Sequence, residues 1–254
     1  MAEREGAGVS SDAIKNITEK IGMDTGPQTL EAIEGMDNFN AWMYEHFDPY
    51  VGRRVLEVGS GIGNLTQFFI NRDLVVATDI EDAHLNALQN KFGHRKNFKC
   101  FKADFMDDVA EMFVPHSIDT IVCSNVLEHI KDDRAALGNM FKLLVPGGNL
   151  VLLVPAFMWL YGSLDEHLLH HRRYSRKELV EKFQTAGFAI RHVEWMNMFG
   201  IPGWFLNARI RKVNSLPPAQ LRLYDKLVPI FRAVEKLTGP PVGQSLIVIG
   251  TKER

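Results

Sequence analysis

Glycines and a carboxylate between residues 54 and 69 have the types and spacing to bind a nucleoside. The segment begins with a short apolar strand, predicted at 54–58, that carries Glu57. Glycine permits positive φ and close backbone approach, so a ligand could lie against the following turn and the N-terminus of the helix predicted at 63–69. The three glycines of the turn are Gly59, Gly61 and Gly63.

A second acid, Asp79, closes the next predicted strand, 74–79. A carboxylate at the carboxyl end of this strand can accept hydrogen bonds from both ribose hydroxyls of a nucleoside. The same carboxylate could instead cap the helix that begins near Glu81. Because Glu57 and the glycines lie at the neighbouring strand end, we favour ribose binding.

The glycine spacing distinguishes between two nucleoside cofactors. The dinucleotide fingerprint G-x-G-x-x-G has two residues between its second and third glycines. Here Ile62 alone separates Gly61 from Gly63. This spacing, together with the acid at Glu57, counts against an NAD-dependent oxidoreductase, which remains an alternative.

Further polar residues follow the third and fourth predicted strands, 98–105 and 118–125. Asp104 lies at the end of the third strand, and Glu128 and His129 follow the fourth. The Glu-His pair could supply a general base or a metal ligand, or could cap the helix predicted at 131–144. For His129 the base and cap alternatives remain open, and no metal is expected.

A basic segment, 162–174, places imidazoles, guanidiniums and a phenol beyond the fifth predicted strand. Arginines can clamp a carboxylate or phosphate, and a histidine can take a proton from an acceptor hydroxyl. The alternative is a surface loop whose arginines pair with Asp165 and Glu166. The spacing of its three histidines matches no closed metal site. The candidates for contact with an acceptor are His170, Arg172, Arg173 and Tyr174.

Strands and helices alternate five times up to residue 155, which indicates a parallel, doubly wound α/β sheet. Ligands of such sheets lie outside the carboxyl ends of the strands. A sixth strand is predicted at 188–195 and a seventh at 245–250. Because 197–243 is too long for a hairpin, it predicts a helical insertion before the last strand.

The pattern E-x-G-x-G-x-G at residues 57–63 resembles motif I of class I S-adenosylmethionine-dependent methyltransferases. The resemblance covers roughly residues 38–155. Segment 165–174 is similar to the D-x-x-L-G-H-x-R-R-Y segment of one branch of these enzymes, with Leu169 where glycine is usual. The family implies a Rossmann-like sheet of seven strands, with the last strand antiparallel between the fifth and sixth.

The resemblance also implies S-adenosylmethionine as cofactor and S-adenosylhomocysteine as product. It assigns Asp104 to the adenine amino group and the backbone N–H of Phe105 to a ring nitrogen. The region after the fourth strand would hold the methionine part. The expected cofactor-binding residues are Glu57, Gly59, Ser60, Gly61, Gly63, Asp79, Ile80, Asp104, Phe105 and Asn125.

The expected reaction is an in-line displacement that methylates a small-molecule or lipid-like acceptor, helped mostly by proximity and orientation. His129, His170 and Tyr174 are the predicted catalytic residues. Arg172 and Arg173 are predicted to bind the acceptor. A non-catalytic cofactor-binding subunit is a further alternative.

Composition bounds the remaining possibilities. The 254 residues are 46% hydrophobic and carry a net charge of −2, which argues against a general nucleic-acid binder. Cys100 and Cys123 fall in apolar strands, as expected of reduced core residues in a cytoplasmic protein. No signal peptide is predicted. Residues 1–27 are expected to be poorly ordered, and 28–254 to form one domain with a lid at 156–175.

The insertion carries a basic, amphipathic stretch, 204–237. Such helices with aromatic residues can lie on an anionic membrane surface. A lid or a homodimer contact is favoured, because most apolar stripes of this kind face protein. Pro229 is expected to kink the second helix. The predicted stripe consists of Leu223, Leu227, Ile230, Val234 and Leu237.

Overall fold

The computed structural model describes residues 36–107, 109–113 and 116–253. The prediction of a poorly ordered N-terminus at 1–27 lies outside these residues. In the described part, no helix is both long enough and apolar enough to cross a membrane.

Seven strands form one sheet in the order β3-β2-β1-β4-β5-β7-β6. β7 is antiparallel to both of its neighbours, whereas the other pairs are parallel. This confirms the predicted Rossmann-like sheet and the insertion of the last strand between the fifth and sixth. The strands are β1 Arg54–Val58, β2 Leu74–Asp79, β3 Phe98–Lys102, β4 Thr120–Ser124, β5 Asn149–Pro155, β6 Ala189–Met196 and β7 Ser245–Thr251.

The central strands are buried on both faces, as parallel strands covered by helices must be. All six residues of β2 are buried, and Val55 of β1 pairs with Val75 on one side and Thr120 on the other. Two apolar clusters cover the two faces of the sheet. One is built around Leu56, and the other around Val55, as expected from the alternation of side chains along a strand.

Helices connect the strands and cover the sheet. The α-helices of the described residues are α1 Asp37–Phe47, α2 Thr66–Phe69, α3 Asp82–Phe92, α4 Ala110–Phe113, α5 Asp133–Leu143, α6 Ser163–His167, α7 Arg176–Thr185, α8 Gly200–Phe205 and α9 Pro218–Thr238. The helix predicted from residue 63 begins only at Thr66, because the glycine turn extends further. Ser175 caps α7 by accepting a hydrogen bond from the Glu178 amide, as its sequence predicts.

The insertion consists of α8, a π-helical continuation at Leu206–Arg211, and α9. α9 continues through Pro229. It packs on α1 through Tyr224, Val228 and Phe231, which join the apolar cluster there. The predicted stripe is exposed, with Leu237 at 87%, so the described part of this chain does not cover it, and the lid or homodimer contact stays a prediction. α9 has two apolar faces, and the aromatic one is buried.

Candidate active site

The glycine turn lies at the carboxyl end of β1, and all three glycines have left-handed φ values of 53° to 89°. A Cβ on Gly59 would meet Val126 at 2.4 Å, and one on Gly63 would meet Phe92 at 2.7 Å. The backbone conformation and these close approaches therefore require glycine at both positions. The turn is held next to β2, because the Ser60 amide donates to the Thr78 carbonyl oxygen.

Asp79 joins this turn to the end of β2. Its carboxylate accepts hydrogen bonds from the Gly61 amide at 2.8 Å and the Glu81 amide at 3.0 Å. His84 Nδ1 lies 3.0 Å from Oδ1. Asp79 therefore braces the turn and holds the backbone at Glu81, the residue before α3, while ribose binding stays a prediction. Each carboxylate oxygen has two lone pairs, so Oδ2 can accept a further hydrogen bond from a ligand.

Glu57 lies beneath the turn with 3% of its surface exposed. Its Oε2 accepts a hydrogen bond of 2.5 Å from the Thr66 hydroxyl. Burial raises the pKa of Glu57 to about 7, and the negative charge of Asp79 adds to the shift, whereas the Thr66 hydrogen bond opposes it. The acid thus ties β1 to α2.

Apolar side chains stand exposed beside the acids at the ends of β2 and β3. Ile80 is 57% exposed and Met106 is 42% exposed. Asp104 accepts a hydrogen bond from the Met106 amide, and Phe105 is buried with its side chain in the core. Exposed apolar groups next to a carboxylate suit a planar heterocycle with an amino group, so these residues fit the adenine end of the expected cofactor.

The end of β4 turns sharply at Asn125, whose φ is 53° and whose amide donates to the Leu153 carbonyl oxygen. A 3-10 turn, Leu127–His129, follows. The cap of α5 is Asp132, which accepts from the Ala135 amide, so the interpretation of Glu128 and His129 as the caps of this helix is wrong.

Glu128, His129 and His170 form a cluster after this turn. Glu128 is fully buried, and neither of its carboxylate oxygens has a hydrogen-bond partner among the described residues. His170 Nε2 lies 3.9 Å from Glu128 Oε1, and the rings of His129 and His170 are 4.6 Å apart. Burial raises the pKa of Glu128 to about 8. Loss of hydration and the neighbouring imidazoles lower the pKa of His129 to about 4.

Asp165 is the charged centre behind this cluster. Its Oδ1 accepts from His170 Nδ1 at 2.9 Å and from Arg173 Nε at 2.7 Å, and its Oδ2 accepts from the Gly162 amide. Burial alone would raise the pKa of Asp165, but the His170 hydrogen bond and the charge of Arg173 hold it below its usual value. Trp204 packs against Arg173, with 4.5 Å between the guanidinium carbon and the ring centroid.

Three residues predicted to act on the acceptor have structural partners instead. Arg173 is 1% exposed and belongs to the Asp165 network. Arg172 pairs with Asp133 at 2.7 Å. Tyr174 is fully buried and donates to Asp133, and burial followed by that negative charge raises the pKa of its phenol. The alternative from the sequence was a surface loop whose arginines pair with Asp165 and Glu166. Arg173 does pair with Asp165, but it is buried and does not lie on the surface.

A cavity of about 380 Å³ lies beside Asn125 and extends under the insertion. Its walls come from α1, α6, α8 and the start of α9, and every described residue that lines it is uncharged. The apolar lining includes Phe39, Met43, Leu164, Leu168, Phe199 and Trp204. The amide side chains in the lining are Asn125, Asn197, Asn207, Asn214, Gln220 and Gln244.

Sequence reasoning did not identify these amides or the central role of Asp165. Five of the six amides lie in or beside the insertion, at 197–244. An amide side chain among the apolar residues of a predicted helix was the one feature of the sequence that could have indicated them. Asp165 was noted only as a partner of nearby arginines. The sequence did place Glu57, Asp79, Asp104 and Asn125 at neighbouring strand ends, where the structure has them.

Comparison with known proteins finds a methyltransferase family and relatives that include a methyltransferase. A family model described as a methyltransferase domain matches residues 56–150. The ubiquinone biosynthesis O-methyltransferase of Idiomarina loihiensis is 31% identical over 190 residues, which are 67% of this chain and 76% of that protein. The reducing polyketide synthase ppsB of Aspergillus oryzae is 27% identical over 210 residues, which span 77% of this chain but only 8% of the synthase.

Solved structures share the fold at low sequence identity. The S-adenosylmethionine-dependent methyltransferase from Archaeoglobus fulgidus matches with a TM-score of 0.57 at 17% identity. The match covers 85% of this chain and 94% of that one.

Proposed function

Since the chain belongs to the class I S-adenosylmethionine-dependent methyltransferases, we propose that it methylates a neutral, largely apolar small molecule held in the 380 Å³ cavity. The observation that carries the proposal is the position of Asn125. This residue directly follows β4, at the edge of the sheet where the cofactor would bind, and it also lines the cavity. A ligand at the strand ends and a molecule in the cavity would therefore meet at this residue.

The cofactor would lie across the carboxyl ends of β1 to β4. Asp79 Oδ2 would accept a hydrogen bond from a ribose hydroxyl, and Ile80 and Met106 would cover the adenine beside Asp104. Bound S-adenosylmethionine supplies an electrophilic methyl group on a sulfonium. The protein contributes alignment of that group with the acceptor and exclusion of water, which are the main requirements of an in-line displacement.

The acceptor class follows from the chemistry of the cavity. A charged acceptor would lose its hydration there without an opposite charge in the lining, which costs several kcal/mol. A neutral molecule would bury apolar surface against residues such as Phe39 and Phe199, and its polar atoms would bond the amides. The ubiquinone and polyketide relatives are named for products of this general kind.

His129 and His170 remain our candidates on the acceptor side. Neither lines the cavity, but His170 is linked through Asp165 to Trp204, which does. We assign Tyr174, Arg172 and Arg173 to holding the 156–175 segment in place, because their polar groups contact Asp133 and Asp165. This differs from the roles expected from the sequence, where the arginines bind the acceptor.

Filling the cavity tests the proposal. Gly203 lines it, and a Cβ there meets no atom within 4 Å, so Gly203→Leu would occupy the space. Gly138 on α5 is equally open but lies outside the lining, which makes Gly138→Leu a matched control. The assay would use tritium-labelled S-adenosylmethionine and a panel of neutral phenols with their carboxylated analogues.

We expect turnover with neutral members of the panel, and at least a ten-fold loss of kcat/KM in Gly203→Leu with unchanged cofactor affinity. Gly138→Leu should retain activity. Preference for the carboxylated analogues, or full activity of Gly203→Leu, would contradict this choice of acceptor class.

A second interaction is favoured by the exposed stripe of α9. Arg222, Lys226 and Lys236 are exposed on the same helix as the apolar residues Leu223 and Leu237. Basic residues beside exposed apolar ones match the charge and apolar interior of an anionic membrane surface. We propose peripheral contact with such a surface, with a homodimer contact as the competing outcome.

A further inference from the structure

The cluster of Glu128, His129 and His170 has acceptor atoms without donors. Glu128 is fully buried, yet both carboxylate oxygens lack a hydrogen-bond partner among the described residues. Leaving such a group unsatisfied costs about 1–3 kcal/mol and more when it is charged. One candidate ligand atom from each of the three side chains lies within 4.8 Å of the others. A cation held between the three side chains would give those oxygens a partner.

The hydrogen bonds around His170 orient its ring for a ligand. Asp165 Oδ1, 2.9 Å from Nδ1, also accepts from Arg173 and is ionised, so Nδ1 carries the proton. In the neutral imidazole, Nε2 then has the lone pair, and this atom lies 3.9 Å from Glu128 Oε1. A histidine with one nitrogen bound to a carboxylate and the other directed at a cation is the usual arrangement behind metal ligands.

The backbone fixes the two buried members relative to each other. The amide of His171 donates to the Glu128 carbonyl oxygen at 2.8 Å, which fastens the basic segment to the turn after β4. His129 is the exposed member and can adjust its position. Ligand atoms that each lie about 2.1 Å from a tetrahedral ion are roughly 3.4 Å from one another. The three ligand atoms here lie within 4.8 Å of one another, so they would have to move about 1 Å closer together to bind an ion.

From this geometry we propose that Glu128, His129 and His170 bind a divalent transition-metal ion such as Zn²⁺ or Mn²⁺. Two imidazoles and one carboxylate are ligands that these ions take, whereas Mg²⁺ prefers oxygen ligands and retained water. The set leaves coordination positions open. The competing explanation is a proton shared between Glu128 and His170, which would need no metal.

The use of the ion rests on the proposed function. Trp204 lines the cavity and its Nε1 lies 3.4 Å from Asp165 Oδ2, and Asp165 in turn holds His170, so His170 is linked to the cavity wall through Asp165. An open coordination position would bind an oxygen of the acceptor, orient it, and favour loss of a hydroxyl proton before methyl transfer.

The experiment measures metal content and affinity directly. The full chain is stripped with a chelator, dialysed against Zn²⁺, and analysed by atomic emission, with Co²⁺ absorption as a second reading of the ligand set. The variants are Glu128→Gln and His129→Ala. The second removes an exposed side chain and keeps the test valid if the first fails to fold. His192→Ala, which removes an imidazole paired with Glu194 on β6, is the control.

We expect one Zn²⁺ per chain, at least ten-fold weaker binding in Glu128→Gln and His129→Ala, and unchanged binding in His192→Ala. Absence of stoichiometric binding by the folded wild-type chain would overturn the proposal, as would equal affinity in all variants. Titration of the metal-free chain with S-adenosylhomocysteine separates this result from the proposed function, because cofactor binding should persist without the ion.

Discussion

Glu57 and Asp79 lie at neighbouring strand ends but in different surroundings. Asp79 accepts hydrogen bonds from two backbone amides of the turn and of the residue before α3. Glu57 is enclosed beneath the glycine turn, and burial raises its pKa to about 7. Glu57 is therefore an internal support of the turn, whereas Asp79 keeps acceptor capacity for a ligand.

The raised pKa of Glu57 predicts a pH-dependent stability. Below about pH 4.5 the acid is neutral in both folded and unfolded chains. Between about pH 4.5 and 7 the unfolded chain ionises this acid while the folded protein keeps it protonated, so the stability falls over that range and the loss is complete above pH 7. Glu57→Gln keeps the acceptor for Thr66 without the charge. Its free energy of unfolding relative to wild type should therefore increase between pH 5 and 8, by up to about 3 kcal/mol.

Urea unfolding followed by circular dichroism at both pH values measures this difference. Glu111→Gln, which changes an exposed acid of α4, should show no such trend. A Glu57→Gln variant whose stability relative to wild type does not change with pH would show that the wild-type acid is ionised throughout.

The strand-end residues could be predicted, but the partners of the basic segment could not. Asp79 follows from a run of apolar residues that ends in an acid. Tyr174 donates to Asp133, which is 41 residues away, so its burial depends on how α5 meets the 156–175 segment. The sequence shows that Arg172, Arg173 and Tyr174 are polar and adjacent, and does not show which acids they meet.

At the scale of elements, α1 is held by a carboxylate from α9. Asp225 accepts from the Phe39 amide at 2.9 Å and from the Asn38 side chain at 3.0 Å. These contacts satisfy the N-terminus of α1, which has no side-chain cap of its own. α1 lines the cavity through Phe39 and Met43, so Asp225 also anchors the helix that forms one cavity wall.

Asp225→Ala should lower the free energy of unfolding by about 1–3 kcal/mol, because partly buried N–H groups at the start of α1 lose their acceptor. Chemical denaturation measures the change, with Lys226→Ala as the control at an exposed neighbouring position. Equal stability of the two variants would mean that solvent replaces Asp225 at the helix end without cost.

The exposed stripe of α9 gives a prediction about surfaces. Sedimentation with anionic vesicles at low salt should bring down the wild-type chain, and added salt should release it. Replacing Leu223, Ile230 and Leu237 together by Ser should weaken this binding at least ten-fold, whereas Leu169→Ser, at another exposed leucine, should not. Trp204 is a poor choice for this test, because it packs against Arg173.

Absence of vesicle binding at low salt would contradict the membrane contact. A concentration-dependent dimer that the triple serine variant abolishes would instead assign the stripe to a second copy of the chain.

The order of elements was predictable because strand and helix periods alternate clearly up to residue 155. Which face of α9 packs on the rest of the chain could not be predicted, because that helix has apolar residues on two sides and the pattern alone does not rank them. The aromatic side, with Tyr224 and Phe231, packs against Phe39 and Phe199 of the protein. These aromatic contacts depend on how α9 lies against α1 and the start of α8, which the sequence does not show.

Across the whole molecule, two candidate binding regions meet at one edge of the sheet. The strand ends provide the backbone turns and acids that we propose bind a nucleoside, and the insertion closes an uncharged cavity beside them. Asn125 belongs to both regions. The central claim is therefore that S-adenosylmethionine occupies the strand ends in contact with Asp79, next to that cavity.

Calorimetric titration tests this claim most directly, with S-adenosylhomocysteine and NAD⁺ as ligands and Asp79→Ala and Asp82→Ala as variants. Asp82 is an exposed acid at the start of α3 that pairs with Lys102, so its removal controls for charge. We predict stoichiometric binding of S-adenosylhomocysteine, none of NAD⁺, and a loss of about 2 kcal/mol in folded Asp79→Ala alone. Binding of NAD⁺ instead, or unchanged affinity in Asp79→Ala, would contradict the account.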